Sequence, residues 1–488
     1  MTETTSARAP SLADAAAAVV LLLVLISASF LLFGDDAIAG PTQVALTLAA
    51  TAAAAIAWKN GHRWSEIRAA AVDGIASALP AIFILFAVGA LIGTWAMSGT
   101  LVAMVYHALG VLSPNYFYVS TVVICALIAF STGTSWTTVG TIGVALMGVG
   151  AQMGLSPAVT AGAVISGAYF GDKSSPLSDT ANLAAAATAT PLYDHIRASL
   201  VTGVPALAVA LVVFWAMGRP GDFDASSIQR AIGARFDVST WSFLPVVLVV
   251  VLSMLRTPPF LAILGGALAG GVMAVILQPD FVLHLADAEA LPAWIGMIKG
   301  VWYALATGFS YTTGDPKLDS LLSRGGMDSM LPTIWLIMAA LAFGAIMERA
   351  GMLTRIVAPA LRVARSTVRL VGTVVVSAIG MNVVAGDQYL AVVLPGRMFK
   401  GEFERRGLAP TQLSRTIGDS AIVTAPLVPW NSCGAFMAAA LGVAALDFLP
   451  YAIFNLVNPL VTLVAAVFVS RAAIATGMSS VKTERSEV

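Results

Sequence analysis

Charge is what this sequence has least of. Only 11% of its 488 residues are Asp, Glu, Lys or Arg, less than half of the roughly 25% that a soluble domain carries. The 26 basic and 26 acidic residues cancel, so nothing suggests nucleic acid as a partner. Cysteine is nearly missing too. Cys125 and Cys433, each in an apolar stretch, allow no disulfide framework and no metal site. The four histidines, His62, His107, His195 and His284, are scattered and form no ligand pair. There is no Gly-x-Ser-x-Gly, no His-Glu-x-x-His and no phosphate-binding loop. An enzyme is therefore not expected, and no cofactor is implied.

What the sequence has in abundance is apolar length. Hydrophobic residues make up 58% of it and the mean hydropathy is +0.87. Runs at 15–33, 44–58, 79–97 and 200–217 are each about long enough to cross a hydrocarbon core of roughly 30 Å as a helix. The partner is the lipid bilayer, and the expectation is an all-α polytopic membrane protein. The first run could be mistaken for a secretory signal, but its apolar core is too long for one.

The chain also repeats itself. Leu79-Pro80-Ala81-Ile82 lines up with Leu331-Pro332-Thr333-Ile334 at an offset of 252. At an offset of 253, Gly133-Thr134-Ser135-Trp136 meets Gly386-Asp387-Gln388-Tyr389, and Gly154-Leu155-Ser156-Pro157 meets Gly407-Leu408-Ala409-Pro410. Anchors in the same order with one gap mark two copies of one unit.

Loop charges then orient the copies, because Lys and Arg collect on the cytoplasmic side. Loop 59–75 holds Lys59, Arg63 and Arg68, while its counterpart 279–292 holds Asp280, Asp287 and Glu289 and no base. Loop 98–115 has no base, while 349–369 has five arginines; loop 150–157 has none, while 397–406 has Arg397, Lys400, Arg405 and Arg406. Equivalent loops face opposite sides, so the repeats are inverted. The same reasoning gives five crossings and one re-entrant hairpin per half, the hairpins turning at 131–136 and 386–389. The chain divides into a cytoplasmic tail (1–12), transmembrane repeat 1 (13–217), an external connecting loop (218–240), transmembrane repeat 2 (241–470) and a second cytoplasmic tail (471–488).

Polar residues inside the apolar stretches mark the candidate site. Gly171-Asp172-Lys173-Ser174-Ser175-Pro176-Leu177-Ser178-Asp179-Thr180-Ala181-Asn182 interrupts a helix that would otherwise run from 156 to 190. Its counterpart, Thr424 through Gly434, breaks a helix at Pro426 and Pro429 and offers Asn431 and Ser432. Freed backbone groups are tolerated at membrane depth only where they line a cavity, and paired broken helices are a way to build a midplane transport site. Intramembrane ionisable groups default to functional hypotheses. The ion- and proton-binding candidates are Asp179, Asp387, Asp172 and Asp419, with Ser178, Thr180, Asn182, Thr134, Ser135, Gln388, Asn431 and Ser432 supplying hydroxyl and amide groups. Asp179 and Asp387 are the proposed sodium ligands. Lys173, beside Asp172, and Arg415, four residues before Asp419, are the charge partners.

These residues resemble the NhaC-type sodium/proton antiporter family. The likeness is carried by Gly133-Thr-Ser-Trp136, by Gly171-Asp-Lys-x-Ser-Pro-Leu-Ser-Asp-Thr-x-Asn-Leu-Ala184, and by Leu322-Ser-Arg-Gly-Gly-Met327. Gly386-Asp-Gln-Tyr389, Leu413-Ser-Arg-Thr416 and Pro429-Trp-Asn-Ser-Cys-Gly434 carry it in the second half. The resemblance implies exchange of cytoplasmic sodium for external protons at the cell membrane; lithium, also small and oxygen-seeking, is a further candidate, and the sequence leaves selectivity among sodium, lithium and potassium open. Relatives are also reported to move organic acids, so a coupled exchanger of small carboxylates such as lactate or malate is the alternative. The chain departs from the family pattern at Gly418, where relatives commonly carry glutamate, and at Ala421 and Ile422. That leaves proton stoichiometry open. The sequence is compatible with a homodimer.

Overall fold

The computed structural model describes residues 8–218, 225–234, 236, 238–287, 291–312, 319, 322–323, 325–363 and 366–475. Parts of both tails and of the 218–240 loop lie outside the described residues, as do Glu289, Arg324 and Arg365. No β-strand occurs among the described residues.

The first half holds α1 (Leu12–Phe33), α2 (Pro41–Lys59), α3 (Trp64–Ser77), α4 (Leu79–Met97), α5 (Thr100–Val111), α6 (Phe117–Thr132), α7 (Val144–Gln152), α8 (Pro157–Ser174), α9 (Asp179–Ala187) and α10 (Leu192–Ala216). After α11 (Ala225–Gly233) come α12 (Leu244–Met254), α13 (Pro259–Leu277), α14 (Pro279–Ala286) and α15 (Ala293–Thr307). The second half continues with α16 (Leu331–Arg349), α17 (Met352–Val363), α18 (Thr367–Ala385), α19 (Gln388–Arg405), α20 (Pro410–Ile417), α21 (Ser432–Leu441) and α22 (Ile453–Ala475).

Seven of the described helices are long and apolar enough to cross a membrane, and up to nine spans result if each of two bent pairs counts once. The bent pairs are Pro410–Leu427 with Ser432–Leu441, at 49°, and Ala445–Tyr451 with Ile453–Phe468, at 54°. This is a polytopic membrane protein. Ten crossings, as the loop charges suggest, would further need α8, which is rich in small and polar residues, and α12, a regular helix of only 11 residues. α18, a hairpin limb in the sequence reading, is by itself long and apolar enough to cross.

Packing runs reciprocally between the halves. α4 lies against α13 and α15, and α16 lies against α2 and α3. α22 packs on α8, α10 on α20, and α10 and α22 on each other. One close approach requires two glycines, Gly89 and Gly93, on α4. Gly326 donates its N–H to Gly89 O at 2.7 Å, and a Cβ on Gly93 would lie 2.3 Å from Ala304 O. Only glycine on α4 lets the backbones meet there.

Candidate functional site

The turn of each half is built in the same way. Gly133, at φ 73°, closes α6, and Thr134 then caps the short helix Ser135–Thr138, which leads through a π-helical stretch, Val139–Gly143, into α7. Gly386, at φ 65°, closes α18, and Asp387 caps α19, its Oδ1 accepting from Leu390 N at 2.8 Å. Left-handed glycine ends one helix and an oxygen-bearing residue starts the next, satisfying amides that would otherwise be orphaned. The helix breaks match as well. Ser178 Oγ accepts from Ala181 N at 3.2 Å to start α9, and Asn431 Oδ1 accepts from Cys433 N at 3.0 Å to start α21.

Turns and breaks of both halves enclose a single cavity of about 730 Å³. Asp172, Asp179 and Asp387 line it, with Thr134, Ser135, Thr180, Asn182, Gln388 and Ser432. These nine candidates from sequence converge, although 253 residues separate the equivalent turns.

The three acids are held differently. Asp172 is buried and accepts three hydrogen bonds: Oδ2 from Ser135 N (3.1 Å) and Ser135 Oγ (2.7 Å), and Oδ1 from Ser178 Oγ (2.6 Å). It pins the first turn to the first break. Asp179 opens the first turn of α9, exposed within the chain. Its Oδ1 accepts from Thr180 N (2.8 Å) and its Oδ2 from the Tyr389 hydroxyl (2.6 Å). Asp387 accepts only from backbone amides at the start of its own helix, Leu390 N at 2.8 Å and Tyr389 N, among the described residues. Asp179 and Asp387 are thus the acids with coordination capacity left.

Neutral groups fix the second half. Gln388 Nε2 donates to Ile422 O at 3.0 Å while its Oε1 accepts from Cys433 Sγ at 3.1 Å. Cys433, expected in purely apolar surroundings, lines the cavity. Trp430 Nε1 donates to Val383 O at 2.7 Å. Trp136 of the first turn stacks on Phe436 of α21 at 4.1 Å. No group of three or more His, Cys, Asp or Glu side chains among the described residues is arranged to hold a metal ion. A transported cation would therefore have to complete its shell from hydroxyl, amide and carbonyl oxygens.

The charge partners differ from the sequence expectation. Lys173 pairs with Asp419, not with its neighbour Asp172, and Arg415 is not the partner of Asp419. The reason is direction. Asp172 faces the cavity, whereas Lys173 turns away from it into a fully buried polar cluster with Asp419. Ser178 and Asn431 stand behind the cavity wall as helix caps, and Asp419, Lys173 and Arg415 do not line it.

Sequence reasoning missed several participants. Tyr389 was legible only as part of the turn motif. Arg256, a rim residue at φ 61° between α12 and α13, lines the same cavity. His195 bonds Ser414 Oγ through Nδ1 at 2.6 Å, and a Cβ on Gly418 would sit 3.2 Å from its Cε1. The imidazole takes the room that a longer residue at 418 would need.

The profile of the Na+/H+ antiporter family matches residues 2–169 and 167–469. The chain belongs to this family. It is 38% identical over 404 residues to the Na(+)/H(+) antiporter NhaC of Alkalihalophilus pseudofirmus, covering 82% of this chain and 84% of that one. It is 34% identical to the Na(+)/H(+) antiporter NhaC of Bacillus subtilis, over 90% of this chain and 94% of that relative. A Malate-2H(+)/Na(+)-lactate antiporter of Bacillus subtilis is 32% identical, over 84% and 86% of the two chains.

Proposed function

We propose that this chain is a secondary antiporter that exchanges sodium, and lithium, for protons across the cell membrane by alternating access. The observation that carries this is the shared cavity, in which Asp179 and Asp387 keep free carboxylate capacity at a helix break and a helix turn. A carboxylate can hold a hard cation or a proton but not both at full strength, since each opposes the other's charge. Sodium takes one oxygen each from Asp179 and Asp387 in this reading, with Thr134, Thr180, Gln388 and Ser432 as neutral ligands. Asp172 positions the break.

Alternating access rests on two inverted repeats with both termini in the cytoplasm. Opposite loop charges support this, together with matching turns, matching caps and reciprocal packing. Broken helices around one site let one half rock against the other.

A second reading, coupled exchange of a small carboxylate, draws support from cavity volume and from Arg256. About 730 Å³ exceeds the needs of a bare ion and falls in the range of organic ligands. The deciding experiment is purified protein in proteoliposomes with an imposed proton gradient, offered sodium, lithium, potassium, lactate or malate. Proton movement driven by sodium and lithium supports the first reading; movement driven by lactate or malate and not by sodium replaces it with the second.

A further inference from the structure

A second recess, of about 220 Å³, lies between α17 and α18, apart from the site. Leu353, Ile356 and Ala360 line it from α17, and Val376, Gly380 and Val384 from α18. Both sets follow helical spacing, so each helix turns one apolar face to it. Ser377 is its one polar lining residue. The recess opens to the outside of the chain: a Cβ on Gly380 would meet nothing within 4 Å, and Val376 is 71% exposed.

Neighbouring contacts fix its depth. Arg8 N donates to Asn60 O at 2.8 Å, and a Cβ on Gly351 would lie 3.8 Å from Pro10. The start of α17 is therefore level with the start of α1 and the end of α2, both long and apolar enough to cross a membrane. Beside Val384, at the far end of the recess, a Cβ on Gly344 would collide with Ala385 O. That puts the end of α18 about 8 Å below the end of α16, at 1.5 Å per residue. The recess thus lies just beneath a membrane surface, where headgroups give way to acyl chains.

The surface at this level is basic. Arg349 at the end of α16, Arg355 of α17 and Arg369 in the first turn of α18 are exposed, and none is in an ion pair with a described residue. No acid occurs between Arg349 and Arg369. The first half treats the equivalent helix differently. At the offset of 252, Val102, Ala103 and Tyr106 of α5 correspond to Thr354, Arg355 and Ala358. Val102 and Ala103 are buried, and α11 packs on α5, with Gln229 Nε2 donating to Tyr106 O at 2.9 Å. Thr354 and Arg355 are exposed instead.

We propose that the recess between α17 and α18 binds an anionic phospholipid, with one acyl chain along Leu353, Val376 and Gly380 and the phosphate held by Arg355, Arg349 and Arg369. The headgroup supplies the negative charge that these arginines lack, and guanidinium matches phosphate in a bidentate fashion. A second copy of the chain fits less well, because a two-fold axis would set the same arginines against each other. Val384 lines the recess three residues before Asp387, so the lipid braces the helix that ends in the second turn.

The test is thermal unfolding of delipidated protein in neutral detergent, with phosphatidylglycerol, phosphatidylcholine or glycerol 3-phosphate added. Phosphatidylglycerol should raise the midpoint saturably, and the other two should not at equal concentration. Arg355→Gln should raise the half-saturating concentration about fivefold, as expected for one basic residue at an anionic surface. Gly380→Leu, which fills the recess, should abolish the shift. Both changes fall at open positions, and if one variant fails to assemble the other decides. Equal shifts with phosphatidylglycerol and phosphatidylcholine, or a phosphatidylglycerol response unchanged in an assembled variant, overturn the proposal. So does cross-linking of Val376→Cys to itself in native membranes, on a background lacking Cys125 and Cys433, since a second copy would then cover this face.

Discussion

Tyr389 donates its hydroxyl proton to Asp179 Oδ2 at 2.6 Å, tying the turn of the second half to the helix break of the first. Tyr389→Phe removes the donor that holds the Asp179 carboxylate in place and should weaken apparent sodium affinity by about tenfold, as expected for a hydrogen bond to a charged group. Sodium half-saturation measured at two pH values checks this; equal affinities for variant and wild type at both would mean the contact does not govern binding.

Asp179→Asn should nearly abolish sodium-driven proton movement while leaving the protein in the membrane, since an amide can neither hold nor release a proton here. Asp194→Asn, at an exposed position at the start of α10, should be close to neutral. The comparison separates a site residue from a generic loss of charge, and similar behaviour of the two would remove the break from the mechanism.

If sodium and a proton share these carboxylates, each must weaken the other's binding by the same factor. Sodium half-saturation should rise as pH falls, with maximal velocity recovered at high sodium. Lithium should behave likewise and potassium should be handled poorly. Kinetics at several values between about pH 6 and pH 9 check this. A half-saturation constant independent of pH there would mean separate sites.

Gly133→Ala should prevent assembly or cost about 1–3 kcal/mol, the strain of forcing a side chain into left-handed backbone, with steric overlap in addition. A Cβ there would lie 2.6 Å from the backbone carbon of Leu177. Gly380→Ala, in α18 with open space around it, should be neutral or mildly stabilising. Thermal stability in detergent distinguishes them.

Inverted topology is checked with single cysteines at Ser113 and Ser366, on a background lacking Cys125 and Cys433. Both serines are exposed, in the loops α5–α6 and α17–α18 that match at an offset of 253. An impermeant thiol reagent should reach them from opposite faces of the membrane. Labelling of both from one face would end the inverted-repeat scheme.

Much was legible in the chain itself, because lipid as solvent imposes composition on every residue. Apolar length gave the polytopic class, and Gly133, Gly386, Pro176 and Pro429 announced turns and breaks, since glycine and proline act on the backbone locally. Asp172, Asp179 and Asp387 could be named because an acid in an apolar stretch is costly wherever it points. The direction in which each side chain points was decided by tertiary structure alone. Neighbours Asp172 and Lys173 enter different environments on leaving α8, so adjacency and i,i+4 spacing gave the wrong pairings for Lys173 and Asp419. Tyr389, Arg256 and His195 carry no signal of their own; each matters through a residue distant in sequence that packing brings to it. Helical spacing fixes which groups of one helix share a face, and only the docking of helices from both halves decides what that face meets.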